Sequence, residues 1–182
     1  MRLELLPIGD KVPDEFNVVI EVPVGGPPVK YELDKESGAL TVDRFLHTAM
    51  TYPCNYGFIP HTKSADGDPV DVLVVSRIPV VPGCVMKCRP IGVLLMTDEA
   101  GQDEKILAVP IEKLNPYYTT VFTYLDLPAI LTKRIEHFFE HYKDLEPDKW
   151  VKIDRWGGPE EAKELILKGV ALAESEKSSD HK

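Results

Sequence analysis

Cysteine is scarce in this sequence: Cys54, Cys84 and Cys88 are the only three among 182 residues. An odd number with no close redox pair fits reduced, mostly buried thiols in a cytosolic protein rather than a disulfide framework. Cys84 and Cys88 have no second Cys/His pair at zinc-finger spacing, which argues against a structural zinc site. No apolar run approaches the length of a membrane span. The first ten residues have no long apolar core and carry Glu4 and Pro7, unlike a signal peptide, so a cytoplasmic location is expected. Positive charge is in deficit too, with 21 Lys and Arg against 30 Asp and Glu and a net charge of −9. That balance argues against non-specific nucleic-acid binding, which depends on Lys and Arg to neutralise phosphates. An acidic chain can still bind an anion, through a local basic cluster or through metal ions. Neither internal repeats nor a linker interrupts the sequence, and its length suits one domain over residues 1–182.

What the chain does have is a dense acidic stretch, Asp66-Gly67-Asp68-Pro69-Val70-Asp71-Val72, running into the apolar Leu73-Val74-Val75. Gly67 and Pro69 bar a helix, so the aspartates fall on a loop feeding a strand. Three like charges so close are unfavourable unless something positive lies between them, and carboxylate oxygens suit hard cations such as Mg²⁺. Asp, Gly and Pro are also ordinary turn residues, so the heptapeptide alone admits a polar turn as well.

Elsewhere the pattern is mainly strand. Residues 16–23 are rich in β-branched residues and stop at Pro23, with Glu21 as a charge near the end. In Val29-Lys30-Tyr31-Glu32-Leu33 a strict alternation places Lys30 and Glu32 on one face, by itself an ordinary solvated one. In the strand 40–46, Arg44 shares a face with Leu40, Val42 and Leu46, where a guanidinium either snorkels outward or meets an anion. An aromatic stretch containing Tyr56 leads to the acidic loop, and strands continue from 71 to 110. Two of these flank residues 99–102 as a hairpin; a four-residue loop there would set Asp98 directly opposite Asp103, with Lys105 on the same face. Directly opposed aspartates would again imply a cation, provided the register holds.

Helix periodicity begins after Pro128, where Leu131, Ile135, Phe138, Tyr142 and Leu145 mark one stripe of a helix over 128–144 with Lys143 in its last turn. Gly158-Pro159-Glu160-Glu161 opens a second helix with Ala162, Leu165, Ile166, Gly169 and Ala173 on its apolar face; residues 174–182 read as a frayed, charged tail. Many short strands with two late helices give an α+β fold, mainly β: a small barrel with helices packed outside.

The charges therefore divide into an acidic set (Glu21, Glu32, Asp66, Asp68, Asp71, Asp98, Asp103) and a basic set (Lys30, Arg44, Lys105, Lys143), with Tyr56 and Tyr142 nearby in sequence. Both together suit a polyanionic substrate carried with divalent metals, the obvious case being a phosphoanhydride. Asp66-x-Asp68-Pro-x-Asp71-Val fits the pattern of the family I soluble inorganic pyrophosphatases. Glu21, Lys30-x-Glu32, Arg44, the stretch around Tyr56, Asp98, Asp103-x-Lys105 and Tyr142-Lys143 follow in the order and spacing of the bacterial members, a resemblance covering roughly residues 1–175.

That resemblance implies an OB-like five-stranded barrel, dependence on several Mg²⁺ ions (Mn²⁺ or Zn²⁺ as substitutes) and hydrolysis of pyrophosphate to two orthophosphates. It implies that Asp66, Asp71 and Asp103 ligate a first metal, and that Asp71 reaches a second. Asp98 and Asp103 would hold a third, and Glu21 and Glu32 would act near a fourth. A hydroxide bridging two metals would attack in line, helped by Asp68, with no covalent intermediate. Lys30, Arg44, Tyr142 and Lys143 would bind phosphate, while Lys105 and Tyr56 steady the site. Bacterial members typically form hexamers, which implies a subunit-interface role for His137 and His141.

Other readings fit less well. An EF-hand loop needs acids at positions 1, 3 and 5 and Glu at 12, whereas here the acids fall at 1, 3 and 6 and Arg77 stands at 12. An oligonucleotide-binding barrel meets the wrong net charge. His137 and His141 lack the Glu of a zinc-protease helix, because Phe138 follows His137. A broader metal-dependent phosphatase stays open.

Overall fold

β1 (Phe16–Val22) sets the architecture, since its central residues Val18, Val19 and Ile20 are wholly buried on both faces. A strand with no solvent face needs partners on both edges and layers on both sides. It has them. In this computed structural model, which describes residues 2–179, β1 pairs with β4 (Asn55–Phe58) on one edge and with the start of β6 (Val85–Asp98) on the other. β4 continues to β5 (Asp71–Val74), β5 to β7 (Gly101–Pro110) in parallel, and β7 back to β6. The ring β1-β4-β5-β7-β6 thus closes as the expected five-stranded, OB-like barrel. β6 is long enough for two partners: residues 85–88 close the ring, and 93–98 carry β8 (Val151–Gly157) as a sixth strand. β2 (Val29–Leu33) and β3 (Leu40–Phe45) form a separate hairpin against β1.

Strand alternation sorts the core onto two faces. Val72 and Val74 of β5, with Ile106 and Ala108 of β7, pack with Ala162 and Ile166 of α2 (Pro159–Ser179). Leu73 and Leu107 face the other way, onto Ile135, Phe138 and Phe139 of α1 (Ala129–His141). Each of those two fully buried phenylalanines contributes about 2–3 kcal/mol by leaving water. Asp71 lies on the Leu73 side of β5, and Asp103 and Lys105 on the Leu107 side of β7, so this second face continues directly into the polar end of the barrel.

The structure differs from the sequence reading in several places. Gly101 (φ 128°) pairs with Asp98, leaving a two-residue turn, Glu99-Ala100, closed by the Ala100 amide donating to Asp98 Oδ1 at 2.8 Å. Asp103 therefore faces Met96, and the two aspartates are diagonal neighbours on one face rather than directly opposed. The inference of a cation from opposed charges falls with that register. In the β2–β3 pair the register shifts by one residue at Asp43 of β3, so Arg44 pairs with Lys30 and Val42 with Tyr31; Leu40 and Val42 are exposed, and of the apolar residues expected beside Arg44 Leu46 is the one that is buried.

α1 is shorter than expected, with Tyr142 as its cap, Lys143 just beyond it and Leu145 exposed. β8 was not anticipated. The expected tail is helical through Ser179; residues 180–182 lie outside those described. Cys54 and Cys88 are buried as expected, Cys84 is exposed, and none is in a disulfide. No described helix is long and apolar enough to cross a membrane.

Candidate active site

The acidic loop is folded on itself. The Asp68 amide donates to Asp66 Oδ1 at 3.0 Å and the Ser64 amide to the Asp68 carbonyl at 2.6 Å, while Gly67 takes a left-handed φ of 98°. Only glycine adopts that conformation cheaply, so Gly67 sets the reversal that aims both aspartates outward. The loop hangs over a cavity of about 360 Å³ at the end of the barrel. All thirteen residues singled out from the sequence line it: Glu21, Lys30, Glu32, Arg44, Tyr56, Asp66, Asp68, Asp71, Asp98, Asp103, Lys105, Tyr142 and Lys143.

At its floor the parallel register of β5 and β7 sets Asp71 beside Lys105. The Lys105 ammonium donates to Asp103 Oδ1 at 2.8 Å and to Asp71 Oδ2 at 2.5 Å, and the residue is only 6% exposed. Burial alone would pull its pKa down, but the two carboxylates outweigh it and hold the pKa well above the usual lysine value. The ring of Tyr56, itself buried, stands 5.8 Å from that ammonium, and burial keeps its phenol protonated. On the rim, Lys143 reaches Asp98 Oδ2 at 2.9 Å, and Lys30 and the Arg44 Nε meet at Asp43 Oδ2, 3.0 and 2.9 Å away. Phe138 of α1 stacks on Tyr142 with centroids 5.1 Å apart, which fixes the phenol at the cavity wall.

Sequence reasoning missed some participants. Lys35 pairs with Asp68 at 2.9 Å, Lys149 with Glu99, Asp43 joins the two rim cations, and Tyr52 lines the wall against Tyr56. None carries a periodicity or spacing signal, since each meets its partner only through the fold.

The lining holds eight carboxylates against six cationic side chains and no His or Cys. Among the described residues, no three acidic or thiol/imidazole groups already converge as an ion cage. The chemistry of the donors nevertheless fits a hard divalent cation, because the set is all carboxylate and stays net negative after its internal ion pairs.

Comparison with known proteins decides the family. The inorganic pyrophosphatase family pattern matches residues 18–174. The chain belongs to the inorganic pyrophosphatase family. An inorganic pyrophosphatase of Bradyrhizobium diazoefficiens is 61% identical over 177 residues, covering 97% of this chain and 99% of the relative. One from Agrobacterium fabrum is 60% identical over 170 residues, 93% of this chain and 96% of its own. Among solved structures, the Thermus thermophilus inorganic pyrophosphatase superposes with a TM-score of 0.90 at 42% identity, covering 96% and 99% of the two chains. That of Coxiella burnetii gives 0.89 at 50% identity, covering 92% and 99%. The family resemblance read from the sequence is therefore borne out, as is the OB-like fold.

Within this pyrophosphatase site, Glu21 is the carboxylate most displaced from ordinary behaviour. It is buried, and desolvation, with Asp71 adding to it, pushes its pKa from 4.5 up to about 7 against the opposing hydrogen bond from the Leu33 amide, 2.7 Å away. A carboxyl with a raised folded pKa stabilises the fold fully below its unfolded pKa and loses that contribution as pH rises through the folded value. In cation-free buffer the protein is therefore expected to lose about 3 kcal/mol from this group between pH 4.5 and 8. Glu21→Gln keeps the acceptor for Leu33 and should flatten that slope, leaving the variant more stable than wild type at pH 8 in chemical denaturation. Parallel pH–stability curves for the two proteins would disprove it.

Proposed function

We propose that this chain is a Mg²⁺-dependent inorganic diphosphatase, hydrolysing pyrophosphate to two orthophosphates by direct attack of water. The observation that carries the reading is the convergence of all thirteen residues in one cavity, with Asp71, Asp103 and Lys105 at its floor, Asp66 and Asp68 on the loop, and Lys30, Arg44 and Lys143 on its rim. Asp66, Asp71, Asp98, Asp103, Glu21 and Glu32 would hold the metal ions, with Mn²⁺ or Zn²⁺ as possible substitutes. Bound there, the ions supply charge neutralisation of phosphate oxygens and a lowered pKa for water. Lys30, Arg44 and Lys143 bind the phosphate groups as cations, and Tyr142 as a protonated donor. These rim cations leave Asp43 and Asp98 for the substrate, exchanging one anionic partner for another.

Asp68, exposed on the loop, accepts the proton of the attacking water, and departure of the second phosphate is in line with that attack. Lys105 keeps Asp71 and Asp103 at fixed separation, and Tyr56 backs that ammonium. Direct attack without a covalent intermediate is supported by a lining that offers no Ser, Thr, Cys or His nucleophile. Phosphate release from pyrophosphate and from p-nitrophenyl phosphate, each with Mg²⁺ and with EDTA, tests the reading. Release from pyrophosphate alone, abolished by EDTA, is expected; preference for the monoester would overturn it.

A cytoplasmic homohexamer completes the proposal. The tilted rings of His137 and His141 lie 4.6 Å apart on α1, and His137 lines an open groove of about 500 Å³ with Met50 and Ile130, a surface suited to a second copy. Sedimentation is expected to show a hexamer for the wild type and a smaller assembly for a His137→Ala, His141→Ala variant. A wild-type monomer would count against it.

A further inference from the structure

Between β4 and β5 the hydrogen-bond ladder contains a side chain where a backbone bond belongs. The Ile59 amide donates to the Val70 carbonyl at 3.0 Å, as an antiparallel pair requires. The return bond, from the Val70 amide to the Ile59 carbonyl, is not made directly. The Val70 amide donates instead to Thr62 Oγ1 at 3.0 Å, and the Thr62 hydroxyl donates on to the Ile59 carbonyl at 2.6 Å. One hydroxyl thus serves as acceptor and donor at once, which uses both roles available to it. Thr62 is buried, so water does not substitute for it.

The chain reaches this arrangement through His61 in the left-handed region, φ 60°, which turns residue 62 back under the strand pair. The consequence is a wedge. The hydroxyl holds the two chains apart just beyond the Phe58–Asp71 pair, and the loop carrying Asp66 and Asp68 springs from that opening. A second tie lies one residue on, where the Lys63 amide donates to the Gly169 carbonyl of α2 at 2.9 Å.

We propose that Thr62 is a positioning residue that fixes the spacing between the Asp66–Asp68 loop and Asp71. It touches neither substrate nor ion and acts only through the backbone of Val70, the residue before Asp71. The inference rests on the metal-dependent reading of the site, but its geometry is independent of which ion binds. The cations assigned to substrate stand on other elements: Lys30 on β2, Arg44 on β3 and Lys143 beyond α1. Losing the tie therefore disturbs the acidic side of the cavity and spares the basic side.

Thr62→Val is the decisive variant, because it keeps the shape and removes both hydrogen bonds; Thr62→Ser restores the hydroxyl without the methyl. Calorimetric titration of the substrate-free protein with Mg²⁺ is expected to give about 10–100-fold weaker binding for Thr62→Val, typical of groups that orient ligands. kcat should fall in step while KM for pyrophosphate stays near wild type, and Thr62→Ser should return both affinity and kcat. A folded Thr62→Val protein with wild-type Mg²⁺ affinity and kcat would overturn the proposal, whatever its melting temperature. Should Thr62→Val fail to fold, amide exchange of the wild type decides: protection of the Val70 amide comparable to that of Val72 supports the tie, and exchange as fast as Gly67 overturns it. Failure of wild-type protein to bind Mg²⁺ would sink the metal reading, and the exchange measurement would still stand for Thr62.

Discussion

Asp71→Asn is expected to lower pyrophosphate turnover by about two to three orders of magnitude while the protein stays folded, the scale of losing one preorganised charge at a reacting centre. Asp71 begins β5, paired with Phe58 on one side and Lys105 on the other, so its backbone is among the best fixed in the cavity. Asparagine keeps the shape and one oxygen, and removes the charge. Two consequences follow from the geometry. The acidic floor loses one of the carboxylates proposed to hold metal ions, which would weaken the charge neutralisation that the proposed reaction needs. Lys105 loses one of its two anionic partners and keeps Asp103, so its burial is only half compensated. The second effect is a stability cost of about 1–3 kcal/mol. It is separable from the first because melting reports it without substrate. Phosphate release at saturating Mg²⁺, read beside circular dichroism melting, makes the check. Activity within tenfold of wild type in a folded variant would break the proposed mechanism.

The acidic residues were legible because their density is chemically odd. Three aspartates in six residues invite a question that a solvated helix face never raises, and strand parity then brought Asp103 and Lys105 to one face. The barrel was legible for a related reason: β-branched runs such as 16–22 and 71–75 are bounded by Pro and Gly. What escaped was set by approach between distant segments. β8 does alternate, with Val151 and Ile153 less exposed than Lys152 and Asp154, but only two alternations precede Arg155, too few to register without the edge of β6 beside them. The hairpin register turned on one glycine. Gly101 closes a two-residue turn, whereas a count of turn-like residues suggested four. β2 and β3 show a different limit, for alternation normally marks a half-buried strand. In their two-stranded sheet β2 buries Val29 and Leu33 beside β1, whereas on β3 Val42 is left 51% and Phe45 68% exposed. The pairings of Lys35 with Asp68 and Lys149 with Glu99 likewise join residues tens of positions apart, with no local trace.

Gly57→Ala is expected to be the most damaging small substitution in the barrel. A Cβ at this position of β4 would lie 1.9 Å from the Val19 carbonyl oxygen, 2.8 Å from its carbon and 2.9 Å from the Ile20 Cα. All three are backbone atoms of β1, so no rotamer change relieves the overlap. Nor can either strand step aside freely: β1 is held by β6 on its other edge and β4 by β5, so any retreat opens the ring. Overpacking with no side chain to yield costs at or above the usual range, about 3–4 kcal/mol. For a chain of this size that corresponds to a melting temperature lower by about 10 °C. Gly101→Ala is the control, since nothing lies within 4 Å of its Cβ and only the positive φ is strained. About 1–2 kcal/mol is expected there, hence a few degrees. The comparison also reads the site, because Gly57 stands between Tyr56 and Phe58, and Phe58 is the ladder partner of Asp71. Whatever fraction of Gly57→Ala folds should therefore be less active per molecule, while Gly101→Ala, displaced only at a hairpin turn, should fall less. Thermal melts of both variants in cation-free buffer settle the order. A Gly57→Ala protein melting within 3 °C of wild type would mean that β1 and β4 are not as closely joined as the ring requires.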